Sequence, residues 1–309
     1  ISDRLGNGVT QRFRVIQHDA CDESSLIRTG ATSAGTECLF NERVVDSGLV
    51  IGLGQISFHY FAGFGGSRKL ILPGIAGEST ILQNHRLSLA HDAGEGLQEN
   101  CQPGRLDGNP VHEDMLEGAG TLPAPVFMIN SVMGDGTVPA FVNGGDMESS
   151  HLRAVDWFRE RFTFSFDEPY KAVVASAGGT PGDVDLLQSH KAVRYAATAV
   201  DQGGLLLMAS ACREGTGSTS LEECFKDGRE GVPGRVRAGY TLNSQTAMSI
   251  YDLTGRMSIY LRSRMEGRQV GRFGFIPWED GYERYLLEGI GPEDILVVMN
   301  AAGFLPVQS

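Results

Sequence analysis

Apolar residues return along this chain in two alternating rhythms. Short β-rich runs are followed by stretches whose apolar positions recur every three or four residues, the spacing of an amphipathic helix. The runs Arg12–His18 and Leu49–Ile56 read as strands, the second a buried one. A helical period through Ile81, Leu82, Leu87 and Leu89 predicts a helix over Glu78–His91, with Ser79 near its start. Val126–Val132 and Pro139–Val142 read as strands, and Met147–Phe162 as a helix carrying Leu152, Val155, Trp157 and Phe158.

A second cycle follows Asp167-Glu168-Pro169. The strand Ala172–Ser176 ends in Gly178-Gly179, a long helix covers Val184–Val200, and Gly203-Gly204 leads into the strand Leu205–Ala209. Arg213–Arg237, rich in glycine and charge, reads as an excursion with one short helix. Ser244–Leu253 is helical in pattern, Met257–Leu261 a strand, Gly281–Leu287 a helix and Ile295–Met299 a last strand. Alternating βα units predict an α/β fold with mainly parallel sheets. Two α/β domains are expected, 1–165 and 166–291, with 292–309 returning to the first.

Composition narrows the function classes. Hydrophobic residues make up 41% and charged residues 21% of the 309, an ordinary soluble globular balance with enough chain for a sizeable core. A net charge of −12 argues against nonspecific binding to nucleic acid or an anionic membrane. A small anionic substrate needs only local positive charge. The 41 glycines, roughly twice the average usage, point to tight βα turns and close backbone approaches. Five cysteines (Cys21, Cys38, Cys101, Cys212, Cys224) without a Cys-x-x-Cys pair fit reduced thiols in the cytoplasm. No apolar run approaches 18 residues and no signal peptide is present. Because the chain starts at Ile1 without a methionine, an N-terminal portion is expected to be missing.

The densest chemistry lies around His59, Lys69 and His85. The segment His59-Tyr-Phe-Ala-Gly63-Phe-Gly65-Gly66-Ser-Arg68-Lys69 sets an imidazole and an amine on a glycine-rich turn, and Asn84-His85 follows. Imidazole is both a common metal ligand and a proton carrier near neutral pH. Gly65 and Gly66 after a strand could cradle a phosphate on backbone N–H groups, or simply form a turn. Neither a Walker motif nor a dinucleotide fingerprint occurs, which disfavours a nicotinamide-dependent oxidoreductase. His59, His85, His91 and His112 can each be read as polar residues near a core, and Lys69 as half of a solvated basic pair. Residues 103–115 combine turn chemistry with a capped helix start at Asn109-Pro110. Gln188 and Lys191, one turn apart, share a helix face able to bind a carboxylate.

Taken together, His-x-Phe-Ala-Gly-x-x-Gly-x-Arg-Lys-x-x-x-Pro-Gly-Ile-Ala, the later Asn-His, and Gly-Asn-Pro-x-His-Glu-Asp-Met resemble the nickel-pincer-nucleotide-dependent lactate racemase family. The resemblance is dense over 12–116, patchy over 117–210 and thin beyond. It implies an active site in the cleft between two α/β domains. It also implies nickel held by a pyridinium-3-thioamide-5-thiocarboxylic acid mononucleotide, linked to Lys69 and ligated by His85. His59 would be one of two acid/bases, Gln188 and Lys191 would contact the carboxylate of a 2-hydroxy acid, and cofactor-biosynthesis enzymes would be partners. The implied activity is racemisation or epimerisation by hydride transfer; the alternative is a non-catalytic homologue that binds or stores the cofactor. Two family motifs, Gly-x-His-Arg with the second histidine and Thr-Arg-Pro of the phosphate site, lie upstream of the matching region and do not occur here. Leu187 stands where the family's lactate enzyme has tyrosine, and Leu242 where it has tryptophan, implying a substrate larger or more apolar than lactate.

Overall fold

The computed structural model describes residues 5–90, 96–134 and 138–309. His91 lies outside them. The first half holds α1 (Asn7–Thr10), β1 (Leu26–Ala31), β2 (Glu37–Asn41), α2 (Glu42–Val45), β3 (Val50–Gln55), β4 (Phe58–His59) and β5 (Gly63–Phe64). It continues with α3 (Glu78–Arg86), α4 (Pro110–Ala119), β6 (Val126–Met133), β7 (Pro139–Gly145), α5 (Met147–Phe162) and β8 (Thr163–Phe166). The second half holds β9 (Tyr170–Ser176), α6 (Leu186–Ala196), β10 (Val200–Ala209), α7 (Thr219–Cys224), α8 (Val232–Ala238) and α9 (Ser244–Arg256). β11 (Ser258–Arg262), α10 (Gly267–Arg272), β12 (Ile276–Pro277), α11 (Tyr282–Leu286), β13 (Ile295–Val298) and β14 (Leu305–Gln308) complete it.

The fold is α/β with mostly parallel pairing. The larger sheet runs β12-β11-β10-β9-β13, every pair parallel. The smaller one runs β3-β6-β7, with β3 and β6 parallel and β7 antiparallel. The two strands of 292–309 go different ways: β13 joins the larger sheet beside β9, whereas β14 pairs in parallel with β8 at the end of α5.

Three sequence expectations are corrected. Arg12–His18 forms no strand; it is irregular and mostly exposed, with Val15 and Ile16 facing solvent. A strand needs a partner for its ladder, and this segment is instead pinned at its end by His18 Nε2, 2.9 Å from the Ala76 carbonyl. β3 exists but is not buried. Gly52 faces inward against Met128, while Ile51 and Leu53 are 57% and 71% exposed on the opposite face. Together with Phe127 and Val142, also exposed, they leave an open apolar surface on the smaller sheet. The 213–237 excursion holds two helices, α7 capped by the Ser218 hydroxyl and α8 opened by Pro233.

The two sheets share an aromatic core. Phe58 stacks edge-on to Phe158 (4.8 Å) and to Tyr195 of α6 (5.9 Å). Beside it the Tyr60 hydroxyl lies 2.6 Å from Thr246 Oγ1 on α9, so β4 and the turn after it are fastened to helices of the second half.

Candidate active site

β4 and β5 are only two residues each, joined by a turn that only glycine can close at position 63. Gly63 has φ of +76°, and a Cβ there would sit 2.1 Å from the Arg105 carbonyl oxygen. The turn returns the chain on itself so that the Ala62 N–H donates to His59 Nδ1 at 3.2 Å. After Gly66 a short 3-10 turn, Ser67–Leu70, sends Arg68 inward and Lys69 back towards His59. Lys69 Nζ comes to 3.3 Å from His59 Nε2 and 5.5 Å from the Phe61 ring centre. The other edge of Phe61 meets His85 of α3, with ring centres 5.0 Å apart. The sequence trio is thus one site, built around Phe61.

Each imidazole has a tautomer fixed by a backbone partner, as assigned from the hydrogen-bond network. His85 Nδ1 donates to the Ile81 carbonyl at 2.8 Å, which leaves the Nε2 lone pair for a ligand. His59 Nδ1 accepts from Ala62, so the neutral ring carries its proton on Nε2. Electrostatics keep the group uncharged. Burial, reinforced by the Lys69 charge, pushes His85 down to about 3. Burial, then the charges of Arg68 and Lys191, lowers Lys69 to about 7. His59 is held well below 6.5 by burial and by Lys69 and Lys191.

Lys191 belongs to α6, whose N-cap Asp185 accepts from Gln188 N at 2.7 Å. Lys191 Nζ donates to Gln188 Oε1 at 2.7 Å, so the predicted pair does share a face. The Lys191 charge acts on both His59 and Lys69 and lowers the pKa of each. The glycine turn packs tightly. The Gly65 N–H donates to the Ser57 carbonyl, and its own carbonyl contacts His151 Nε2 at 3.1 Å. A Cβ on Gly66 (φ +78°) would meet Ile56 at 2.6 Å. These glycines let the loop pack closely on β3 and its extension, and the Gly65 N–H is used within the turn.

Among the described residues, no three His, Cys, Asp or Glu side chains converge to hold a metal ion. A metal here would draw most of its ligands from a bound group, with His85 Nε2 as a protein donor. The residues present fit such a group: an unprotonated imidazole nitrogen on one side of Phe61, and an amine whose pKa burial lowers to about 7.

Several supporting residues escaped the sequence reading. Arg68 is fully buried; Nη2 donates to the Ala62 and Phe64 carbonyls at 2.8 and 3.1 Å, and Nη1 lies 3.1 Å from His151. It clamps the turn that carries His59. Asn109 caps α4 and also donates to the Phe61 and Arg105 carbonyls. Asp114 accepts from Thr32, Thr36 and Asn84, locking α3 next to His85. Buried polar groups need such partners, so Gly-Asn-Pro-x-His-Glu-Asp is largely a scaffold motif. The Asn-Pro cap was legible in sequence; the long-range partners were not.

Fold and site together define an α/β protein that sets a lysine between two imidazoles at the junction of two sheets. The pattern of the lactate racemase N-terminal domain matches residues 1–96, and that of the lactate racemase C-terminal domain matches 167–242. The chain is 30% identical over 226 residues to a lactate racemase of Lactiplantibacillus plantarum, an alignment covering 73% of this chain and 51% of that protein. It is 28% identical over 227 residues to one of Thermoanaerobacterium thermosaccharolyticum, covering 74% and 51%. The chain therefore spans about half the length of the curated relatives it matches. In fold it superposes on the lactate racemase apoprotein of Thermoanaerobacterium thermosaccharolyticum with a TM-score of 0.90 and 24% identity, covering 99% of this chain and 74% of that one. A Thermotoga maritima protein gives a TM-score of 0.73 at 14% identity, covering 100% and 81%. This chain belongs to the lactate racemase family. No helix among the described residues is long and apolar enough to cross a membrane.

Proposed function

We propose that this chain forms the core of a racemase or epimerase of 2-hydroxy acids that works with a nickel-pincer nucleotide attached to Lys69 and ligated by His85. The observation that supports the reading is the grouping of His59, Lys69 and His85 around Phe61, with His85 Nδ1 engaged by the Ile81 carbonyl and Lys69 Nζ beside His59. The bound nucleotide would supply the hydride acceptor for C2 of the substrate.

The chain's own residues would do the rest. Lys191 and Gln188 would hold the substrate carboxylate, orienting C2 and keeping the planar 2-oxo acid from leaving. His59 would move the hydroxyl proton at Nε2. In its present neutral tautomer Nε2 carries the ring's only proton and serves as a hydrogen-bond donor. Accepting a proton there requires the ring to release the 3.2 Å contact from Ala62 and carry its proton on Nδ1. A proton-transfer group at the site favours catalysis over cofactor storage, which needs none. Leu187, where the family's lactate enzyme has a tyrosine, supports a substrate more apolar than lactate. Cytoplasmic work with the cofactor-making enzymes is part of the proposal, supported by five free cysteines, four of them buried.

The test is intact-mass and nickel analysis of protein made together with those enzymes. A Lys69 adduct with nickel is expected, along with chiral products from a 2-hydroxy acid. Protein without adduct or nickel would refute the reading, and loaded protein that leaves every 2-hydroxy acid enantiomer unchanged would refute catalysis.

A further inference from the structure

Lys69 has a property of its own before anything is attached to it. The Ala62 N–H occupies the His59 Nδ1 lone pair, so the proton of the neutral ring sits on Nε2, 3.3 Å from Lys69 Nζ. A donor facing the amine calls for a lone pair in return; an ammonium there would set donor against donor. Both His59 and Lys69 lie in the positive field of Arg68 and Lys191, and no negative group is among the charges that act on them. The site therefore combines an uncharged amine with a surplus of positive charge, and that combination suits an anion bearing an electrophilic carbonyl.

We propose that in the unloaded protein Lys69 captures 2-oxo acids as an imine, with the carboxylate held by Lys191 and Gln188. The substrate class rests on the reading above, because a 2-oxo acid is what oxidation of a 2-hydroxy acid yields. The Lys69 nitrogen attacks the carbonyl carbon and its proton passes to the oxygen, giving a carbinolamine. The nitrogen lone pair then forms the C=N bond as the hydroxyl departs, taking the remaining nitrogen proton and leaving as water, while the His59 Nε2–H hydrogen-bonds to the departing oxygen. Nothing is oxidised or reduced, and one water is released per imine. Occupied this way, Lys69 is closed to any other acylating or thioacylating partner until the imine hydrolyses.

The chain makes the experiment clean, because it has four lysines. Lys171 is paired with Asp294 at 2.8 Å, Lys226 with Glu223 at 3.3 Å, and Lys191 donates to Gln188. The unloaded full chain is incubated with pyruvate or phenylpyruvate and cyanoborohydride between pH 5.5 and 9.5, then read by intact mass and peptide mapping. One reduced adduct per chain on Lys69 is expected. Its rate should rise with pH and level off just above about 7, as the amine's lowered pKa requires. Lys69→Gln should abolish the adduct. His59→Phe, which removes the facing donor, should slow it at least tenfold while circular dichroism confirms the fold. Adduct spread over Lys171 and Lys226, adduct on Lys191 in place of Lys69, or a rate still rising at pH 9.5 would overturn the proposal. Protein that loads nickel and nucleotide yet captures no 2-oxo acid refutes this inference alone. Capture without loading refutes the proposed function alone.

Discussion

Replacing Asn109 by alanine tests the idea that the loop carrying His59 is held from outside. Asn109 is fully buried at the N-cap of α4. Its Oδ1 accepts from Val111 and His112 N–H groups at 3.1 and 3.2 Å. Its Nδ2 donates to the Phe61 carbonyl at 2.9 Å and the Arg105 carbonyl at 3.1 Å. Losing the cap costs about 1 kcal/mol. Two carbonyls left without a donor cost about 1–3 kcal/mol each if they stay dry. The sum is about 3–7 kcal/mol, a fall in melting temperature on the order of 5–15 °C for a chain of this size. Serine restores the cap oxygen but not the two amide bonds, so Asn109→Ser should recover about 1 kcal/mol and no more. Hydrogen exchange supplies the local readout: the Ala62 and Phe64 amides should exchange faster in both variants. Calorimetry placing the alanine variant within about 1 kcal/mol of the parent, with exchange at Ala62 unchanged, would refute the claim that Asn109 anchors the site.

Other predictions follow from the same contacts. Gly63→Ala should destabilise by at least about 3 kcal/mol, since both its φ and the 2.1 Å approach to Arg105 O exclude a Cβ; an unaltered urea midpoint would contradict this. Asp114→Ala strands three donors from Thr32, Thr36 and Asn84 and should loosen α3 by about 3–5 kcal/mol, with His85 Nδ1–H exchange in NMR as a local check. His151 and His190, buried and pushed down to about 3 chiefly by desolvation, cannot take the proton that the unfolded chain accepts near 6.5. Their contribution is complete above pH 6.5 and is lost as pH falls towards 3, at about 1.4 kcal/mol per unit each. Between pH 7.5 and 5.5 these two account for a fall of about 3 kcal/mol, to which the buried His59, His85 and His112 add with the same sign, so the urea-derived stability should fall by at least that much, and a flat profile would rule this out.

What the sequence made legible was local. The alternation of β and α runs placed β6, α5, β9, β10, α9 and β13 within a few residues, because period and turn chemistry are carried by neighbours in the chain. Arg12–His18 failed for the opposite reason: its residues suit a strand, but no neighbour offers a ladder. The Leu49–Ile56 run looked buried because apolar residues fill both faces, and only the structure shows that the Ser67–Leu70 turn covers one of them. In the site, spacing sufficed to single out His59, Lys69 and His85. Arg68 read as a solvated partner of Lys69, yet it is buried and clamps the turn through carbonyls that no motif names. The roles of Asn109 and Asp114 depend on contacts 30 to 82 residues away, beyond any local pattern.

The open face of the smaller sheet bears on how this chain behaves in a tube. Ile51, Leu53, Phe127 and Val142 form an oily plane on a molecule whose net charge of −12 keeps neighbouring copies apart at neutral pH. That repulsion disappears close to the isoelectric point of about 5.0. Light scattering should then rise steeply as the buffer is brought down to pH 5, and added salt at pH 7 should do the same more gently by screening. Leu53→Lys, which sets a charge in the middle of the plane, should restore clarity in both. The protein's colloidal range is thus set by four side chains on one sheet and by the acidity of everything around them.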